Sequence, residues 1–420
     1  MAILVRPCCK RPTFSKSETR NPKSDPLRRR VSAARTNPKP ERDRKRWIFR
    51  ISTFGFLSGF GFRISDFRFR RLPVLLTFSL WSSSGSTYAS CMAATITLAI
   101  VSDIHYASAA EQARGNDYEL RGVANPLLRR GLAIWRHFVW QREPLHQNYL
   151  LENFLGQTGT ADFAIANGDY SCNSGFVGVS DDAACQSARE CLGKLRQTFG
   201  ANLRMTFGDH ELGKLSFFGG QGGMRLASWH RARQELGIEP FWRLEIGRYV
   251  LLGVASSLVA LPLFEPDTLP EERPEWQRLR ENHCAAIRHA FASLNSGQRV
   301  LLFCHDPTAL PFLWRDEEIR SRLPQIKQTV IGHLHSNLIF WKSRILAGMP
   351  KINFMGHTPQ RLTAALHEAR YWRPFKVRLC PALGGIQLLK DGGYYIAELS
   401  PAEDIPIRFE FHPLQRAAHS

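Results

Sequence analysis

The stretch TITLAIVSDIH occupies residues 95–105 and decides how this 420-residue chain is interpreted. Its first part, TITLAIVS, is apolar and rich in β-branched residues, which is typical of a buried strand. The apolar run ends at Asp103, and His105 follows two positions later. The stretch therefore predicts a core strand with an Asp-x-His pair directly beyond its carboxyl end.

Four further apolar runs end in the same way, on an Asp or a His. The clusters that follow them are Gly168-Asp169 after 162–167, Gly208-Asp209-His210-Glu211 after 201–207, His305 after 298–304, and Gly332-His333-Leu334-His335 after 328–331. In open α/β sheets, ligands bind beyond the carboxyl ends of the strands. We therefore expect the five clusters to converge on one point, although they span 232 positions of the sequence.

Helical patterns alternate with these strands, which predicts an α/β fold. The helices are expected at 126–155 with a break near Pro144, 183–199 with a stop at Gly200, 224–236 and 275–294. A hairpin that turns at Gly247 is expected within 241–256, and two last strands at 393–399 and 406–412.

The clusters combine carboxylates with imidazoles, which is a ligand set for borderline divalent metals. The candidate ligands are Asp103, His105, Asp169, Asp209, His305, His333 and His335. A metal pair about 3.5–4 Å apart clamps the attacking and leaving oxygens of a phosphoryl displacement and acidifies a bound water. Residues two apart share one face of an extended segment, so the Asp-x-His and His-x-His pairs are each expected to point one way.

Each motif alone is weak, because an isolated H-x-H or D-x-H is more often a surface or core pair than a ligand pair. The five together, in this order and each at a strand end, resemble the calcineurin-like metallophosphoesterase family over roughly residues 95–400. Its blocks are D-x-H, G-D, G-N-H-D/E, H and G-H-x-H. The resemblance implies a four-layer α-β-β-α sandwich of two mixed β-sheets flanked by helices, with two divalent ions (Mn, Fe or Zn).

The resemblance also implies a role for each matching residue. One metal would be bound by Asp103, His105, Asp169 and His335. The other would be bound by Asp169, which bridges, and by Asp209, His305 and His333. Asp169 and His210 are the catalytic candidates, with His210 beside the leaving group. The implied reaction is hydrolysis of a phosphate mono- or diester by a water that the dinuclear centre activates.

One block departs from the family pattern, and the tyrosine ligand of one subclass is absent. Asp209 stands where the family has Asn, which keeps an oxygen ligand but adds a negative charge. Tyr170 directly follows Asp169 and is expected to point away from the metals, so we do not expect the purple acid phosphatase subclass.

The basic charge of the chain is concentrated in residues 1–91, which hold 20 of the 56 Lys and Arg but only five of the 37 Asp and Glu. We expect a disordered extension there, followed by a phosphoesterase domain at 92–420. The apolar run 72–81 has the length of a signal-peptide core, but it lies about 70 residues from the N-terminus. The favoured interpretation is that the protein starts at Met92 and that residues 1–91 come from an over-extended reading frame. The remaining interpretations are a real signal or anchor, and a functional basic tail.

Residues 107–150 form an insertion rich in Arg and aromatic residues. It springs from the loop that carries the first ligands, so one interpretation is a cap that grips the substrate. The other is a solvated helical decoration whose Trp residues face the core. The Gly-rich residues 214–223 are either a mobile lid or an ordinary loop.

The nine scattered cysteines indicate reduced core residues and a cytoplasmic protein, with export or anchoring as the alternative if 72–91 act as a signal. The expected partner is a phosphorylated substrate of unknown class, and no stable nucleic-acid or membrane partner is indicated for 92–420. Two competing functions remain: a non-catalytic scaffold on the same fold, which the intact histidines disfavour, and a nucleic-acid-acting phosphodiesterase that uses the basic arm.

Overall fold

A computed structural model describes residues 95–172, 176–214, 222–353, 357–401 and 405–414, without the side chains of 357–359. The extension 1–91, the possible signal at 72–81 and most of the Gly-rich stretch 214–223 therefore lie outside the described residues.

The strands fall close to their predicted positions. They are β1 Ile96–Val101, β2 Phe163–Ala166, β3 Leu203–Met205, β4 Phe241–Ile246, β5 Tyr249–Val254, β6 Arg299–Cys304, β7 Ile326–Ile331, β8 Val377–Leu379, β9 Gly393–Leu399 and β10 Arg408–Pro413. The short β8 has no counterpart in the sequence analysis, because three residues are too few to show a strand period.

The α-helices are α1 Ala109–Gln112, α2 Pro126–Trp135, α3 Asn148–Thr158, α4 Asp182–Phe199, α5 Asp209–Leu212, α6 Leu226–Gln234, α7 Ser256–Val259, α8 Leu261–Phe264, α9 Arg273–Ala292, α10 Leu310–Arg315, α11 Glu317–Ser321, α12 Asn337–Ile345 and α13 His357–Glu368. A π-helical segment, Arg136–Trp140, continues α2. Short 3-10 turns occur at Tyr118–Leu120, Pro144–His146, Gly178–Ser180, Gly200–Asn202, Glu265–Asp267, Pro270–Glu272, Pro307–Ala309, Leu323–Gln325 and Ala369–Phe375.

The described strands form two mixed sheets of five strands each, in the orders β10-β9-β1-β2-β3 and β4-β5-β6-β7-β8. Strands β1, β2 and β3 run parallel, and β9 and β10 are antiparallel additions on the β1 side. In the second sheet β5 to β8 run parallel and β4 pairs antiparallel with β5. The predicted fold, an α/β sandwich of two mixed sheets flanked by helices, is confirmed.

Side chains alternate between an inter-sheet core and two outer cores, which creates the four layers. In β1, Leu98 and Ile100 pack between the sheets, whereas Ala99 and Val101 face the helix layer. In β6, Leu301 and Phe303 pack between the sheets, and the neighbouring positions face the other helix layer. Both faces of these strands are buried, which explains their continuous apolar sequences.

The cysteines in the described part of the chain are free, and all but the half-buried Cys284 are buried. None of the helices in that part has the length and apolar character needed to cross a lipid bilayer.

Candidate metal centre

The five predicted clusters meet at one end of the sandwich. Hydrogen bonds join the segments beyond β1 and β2, from Asp103 N to Gly168 O (3.1 Å) and from His105 N to Asp169 O (3.0 Å). The segments beyond β6 and β7 are joined by a bond from Gly332 N to His305 O (2.9 Å). Across the two sheets, His333 N donates to both oxygens of Asp103 at 3.1 Å. The sheets are thus held together where the candidate ligands lie.

Glycines precede three of the clusters because the strand ends approach too closely for a side chain. A Cβ at Gly332 would lie 2.0 Å from Ser102 Oγ and 2.5 Å from Asp103 Oδ2. A Cβ at Gly208 would lie 2.1 Å from Asp169 Oδ1. These clashes give Gly332 a steric function at the junction between the sheets, and give Gly208 one between the segments beyond β2 and β3.

The backbone at the candidate ligands is not extended, and this part of the sequence interpretation was wrong. Positive φ angles between 50° and 61° occur at Asp103, His105, Asp169, His333 and His335. Leu334 N donates to Gly332 O, and Ser336 N to Leu334 O, each at 2.6 Å. His333 and His335 therefore sit at the centres of two successive three-residue turns, a strained arrangement typical of functional sites.

One group of potential ligand atoms gathers Asp103, His105, Asp169 and His335, all buried, with their atoms within 4.8 Å of one another. His335 Nε2 lies 3.3 Å from Asp103 Oδ1 and 3.4 Å from His105 Nε2. The Nδ1 of His105 is 3.2 Å from the carbonyl oxygen of Ser171, which only accepts hydrogen bonds. His105 therefore carries its proton on Nδ1, and its Nε2 lone pair faces this group.

A second group gathers Asp169, Asp209, His305 and His333, again with ligand atoms within 4.8 Å. His305 Nε2 lies 3.2 Å from Asp169 Oδ2 and 3.3 Å from Asp209 Oδ1, and His333 Nδ1 is 3.1 Å from Asp209 Oδ1. Asp169 belongs to both groups. All seven predicted ligands are thus brought together, in the two sets that the family resemblance implies.

The orientation of His305 calls for positive charge between these atoms. Its Nδ1 donates to the carbonyl oxygen of Asn167 at 2.6 Å, so the buried Nε2 faces Asp169 and Asp209. Burial acts to lower the pKa of His305, but Asp169 and Asp103 outweigh it and raise the pKa well above its usual range, so a proton or a metal ion at Nε2 would balance the carboxylates. Ligand atoms about 2.0–2.2 Å from one tetrahedral ion lie about 3.2–3.6 Å apart, which is close to the separations seen here.

The carboxylates of the two ligand groups make the site negatively charged. Asp103, Asp169 and Asp209 bring three carboxylates into one buried region, which is costly without compensating positive charge. His333 is the more open ligand, with 35% of its side chain exposed, and marks the side that faces solvent. The buried Asp and His groups can therefore hold metal ions that are reached from that side.

His210 lies beside these groups but carries little charge. Its amide N donates to Asp169 Oδ1 (3.0 Å), and its ring packs edge-on against His105 with centroids 4.8 Å apart. Burial, and then the charge of Lys214, lower the pKa of His210 to about 3. His210 is thus a neutral imidazole near pH 7, rather than a ready proton donor.

Lys214 is a site residue that the sequence analysis missed. Its Nζ contacts His210 Nε2 and lies 3.8 Å from Asp209 Oδ2. Burial acts to lower the pKa of Lys214, but Asp209 and Asp169 outweigh it and raise the pKa. An ammonium group therefore stands at the rim of the centre, with 38% of its side chain exposed. The sequence analysis interpreted the Gly-rich residues 214–223 as a lid or a loop, but no motif in the sequence indicated a role for Lys214.

Glu211 supports the centre from behind. Its carboxyl oxygens accept hydrogen bonds from the backbone N of Gly208 (2.8 Å), Asp169 (3.1 Å) and Tyr170 (2.8 Å). It therefore ties the segment beyond β3 to the one beyond β2. Burial, and then the charge of Asp169, raise the pKa of Glu211 to about 8.

Tyr170 points away from the candidate ligands, as predicted. Its hydroxyl group donates to the carbonyl oxygens of Ala166 (2.9 Å) and Thr206 (2.8 Å) inside the core. This side chain therefore belongs to the packing of the first sheet.

The insertion reaches the centre through Trp140. Its ring lies over His335, with ring centroids 4.9 Å apart and planes 32° apart, and Trp135 stacks on Trp140. Trp140 therefore covers one member of the first group of ligands, whereas the second interpretation of the insertion expected its Trp residues to face the core. The contact fits a cap over part of the centre.

No protein-family model matches the chain, and no curated protein matches it. Among solved structures, it is similar to phosphopantetheinyl hydrolase from Mycobacterium tuberculosis, with 17% identity, 58% of this chain and 84% of that chain covered, and a TM-score of 0.28. It is also similar to a conserved uncharacterized protein, a predicted phosphoesterase, from Streptococcus pneumoniae TIGR4, with 10% identity, 76% and 89% coverage, and a TM-score of 0.24.

Proposed function

We propose that this chain is a metal-dependent phosphoesterase that hydrolyses a phosphate mono- or diester. The observation that carries the proposal is the sharing of Asp169 by two adjacent groups of potential ligands. A shared carboxylate is what a pair of divalent ions needs in order to sit close together. Asp103, His105 and His335 would complete one site, and Asp209, His305 and His333 the other.

Bound divalent ions would supply positive charge for the phosphoryl oxygens and a more acidic water. Hydrogen bonds within the protein fix the orientations of the ligand side chains before substrate binds. Ser102 Oγ donates to Asp103 Oδ2 at 2.6 Å, and the carbonyl oxygens of Ser171 and Asn167 fix the orientations of His105 and His305. Such partners hold the ligand rings in one tautomer and raise their basicity.

His210 and Lys214 would act together on the leaving group. The Lys214 ammonium group donates to the Nε2 atom of His210, so the positive charge of the pair resides on Lys214. That charge can stabilise the developing negative charge on the leaving oxygen, and the pair can pass it a proton. We therefore assign to the pair the role that the family resemblance gives to His210 alone.

Asp209 tunes the charge of the same region. Two divalent ions with Asp103 and Asp169 would give a net charge of +2, which Asp209 reduces to +1. We expect tight metal binding and a weaker attraction for an anionic substrate than with Asn at this position. The Lys214 charge near Asp209 Oδ2 partly restores that attraction.

The test is metal analysis together with turnover. The full chain is loaded with Mn, Fe or Zn, its metal content is measured, and each form is assayed on a chromogenic phosphodiester and a chromogenic phosphomonoester. We expect about two equivalents of metal and metal-dependent hydrolysis of at least one ester. Metal that is retained without turnover on any phosphoester would favour the scaffold function instead.

A further inference from the structure

Exposed bulky apolar side chains are concentrated beside the candidate metal centre. Among the described residues, ten large apolar side chains are exposed, and eight of them lie on three elements that border the centre. The elements are α2 with its π-helical continuation, helix α12, and the loop at 387–391. Single exposed apolar residues are ordinary, but a cluster of this kind marks an interaction surface.

The first element presents an apolar face to solvent. Leu127, Ile134 and Phe138 are 81%, 53% and 64% exposed, and they recur at intervals of seven and four residues. Positions with this spacing lie on the same side of a helix. The opposite side, which includes Leu132, is buried against the protein.

The second and third elements continue this surface. Helix α12 exposes Trp341 and Ile345, one turn apart, and Leu346 follows at its end. The loop exposes Leu388 and Leu389. We call these residues, together with the exposed side chains of the first element, the apolar rim.

Hydrogen bonds connect the elements of the apolar rim. The amide N of Gln387 donates to Trp140 O at 2.6 Å, and that of Leu388 donates to Val139 O at 3.2 Å. Ser336, the N-cap of α12, donates its hydroxyl hydrogen to Asp391 Oδ2 at 2.6 Å. The three elements are therefore neighbours.

The same elements adjoin the candidate ligands. The ring of Trp140 lies over His335, and Ser336 directly follows His335 in the chain. The apolar rim thus borders the first group of ligands.

The charges on the two helical elements of the apolar rim are positive, whereas the loop contains Lys390 and Asp391. Residues 121–142 contain five Arg and no Asp or Glu, and residues 337–346 contain one Lys, one Arg and no acidic residue. The exposed basic residues are Arg121, Arg129, Arg130, Arg142, Lys342, Arg344 and Lys390. A helix with Leu and Phe on one side and Arg elsewhere is the pattern of segments that lie in a membrane interface.

We propose that the apolar rim docks on an anionic lipid surface, so that the metal centre faces phosphoesters at that surface. That the metal centre faces phosphoesters at the surface rests on the proposed phosphoesterase function. A lipid surface fits better than a second copy of the chain, because a two-fold interface would bring two basic faces together. No membrane partner was indicated for residues 92–420 in the sequence analysis, since the exposure of Leu127, Ile134 and Phe138 is visible only in the fold.

The experiment is flotation of the full chain with lipid vesicles over a series of salt concentrations, with the basic residues 1–91 present in every variant compared. The vesicles contain phosphatidylcholine with phosphatidylglycerol, or phosphatidylcholine alone. The variant carries Leu127→Ser, Ile134→Ser and Phe138→Ser, which leave the net charge unchanged. The matched control is Ile405→Ser, at an apolar residue that is 52% exposed outside the apolar rim.

We expect the wild type and the Ile405→Ser control to float with the anionic vesicles, and the triple variant to partition at least tenfold more weakly. Equal binding by the triple variant, or no binding by the wild type, would overturn the proposal. Sedimentation velocity without lipid adds one more arm: a dimer that the triple variant loses would assign the surface to a second copy, and would also overturn it.

Hydrolysis of a water-soluble chromogenic diester separates this proposal from the proposed function. If the triple variant loses vesicle binding but keeps this turnover, both proposals stand. If no metal form hydrolyses any ester while vesicle binding behaves as expected, the phosphoesterase function fails and the docking surface remains.

Discussion

The Nε2 atoms of His105 and His335 lie 3.4 Å apart, although 230 positions separate the two residues in the sequence. His105 follows a strand of the first sheet, and His335 follows a strand of the second. A metal ion between these atoms would therefore link the two sheets. The stability of the sandwich and the occupancy of the centre should depend on each other.

Replacing His305 should empty the second ligand group. In His305→Ala, the ring nitrogen that lies 3.2–3.3 Å from Asp169 and Asp209 is lost. We expect the metal content to fall by about one equivalent and turnover to fall at least a hundredfold, about 2.7 kcal/mol in the barrier. Metal analysis and the ester assay measure both. His289→Ala, at an exposed position of α9, is the control and should change neither. Full metal content in His305→Ala would contradict the ligand assignment.

Replacing Asp209 by Asn should keep or raise turnover. Asparagine retains the Oδ1 atom that faces His305 and His333, but removes a negative charge that repels an anionic substrate and pairs with Lys214. Steady-state kinetics of the metal-loaded variant measures the effect, and Asp209→Ala is the control that should lose the ligand. A loss of more than about tenfold in Asp209→Asn, or 1.4 kcal/mol of barrier, would show that the carboxylate charge is required.

Replacing Lys214 by Met should lower kcat/KM at least tenfold while the metal content stays constant. The ammonium group is the cation that contacts His210, and methionine keeps much of its length without the charge. Lys214→Arg should retain part of the activity. The control is Lys194→Met, which removes a surface ion pair with Glu152. Unchanged kinetics in Lys214→Met would remove Lys214 from the mechanism.

His283 should make the fold sensitive to acid, independently of the metal centre. Burial lowers the pKa of His283 to about 4, against about 6.5 in the unfolded chain. Between these values the unfolded chain binds more protons, so stability is complete above pH 6.5 and is lost as the pH falls towards 4. At pH 5 the loss is about 2 kcal/mol.

Urea unfolding at pH 7.5 and pH 5 tests this prediction. The wild type should lose about 2 kcal/mol more than His283→Leu over that interval. His289→Leu, an exposed replacement on the same helix, should behave like the wild type. A wild type and a His283→Leu variant with identical pH dependence would contradict the prediction.

Much of the fold was predictable, because buried strands and amphipathic helices leave strong patterns in the sequence. The strand before Asp103 and the helix that ends at Gly200 were both expected within one or two residues of their observed bounds. Strand β8 was missed, since its three residues are held by pairing with β7 and carry no pattern of their own. The strand conformation of β8 therefore depends on its pairing with β7 and not on its own sequence pattern.

The candidate site was predictable in its members but not in its backbone. The sequence analysis predicted which residues lie close together, because each motif directly follows a strand and strand ends meet at one edge of a sheet. The extended geometry expected for Asp103 and His105 was wrong, since both have positive φ. Such conformations arise where loops from two sheets meet, and a motif alone does not contain that information. The same is true of Lys214, whose role depends on the orientation of His210.

The pairing of β9 with β1 joins residues from the two ends of the described chain, with Ile96 opposite Leu399. On the ribosome, the strand that carries Asp103 is made early, but its neighbour is made about three hundred residues later. Long-range pairing of this kind slows folding. The nascent chain must therefore wait with an open sheet edge, whose unpaired N–H and C=O groups can pair with another chain until β9 arrives.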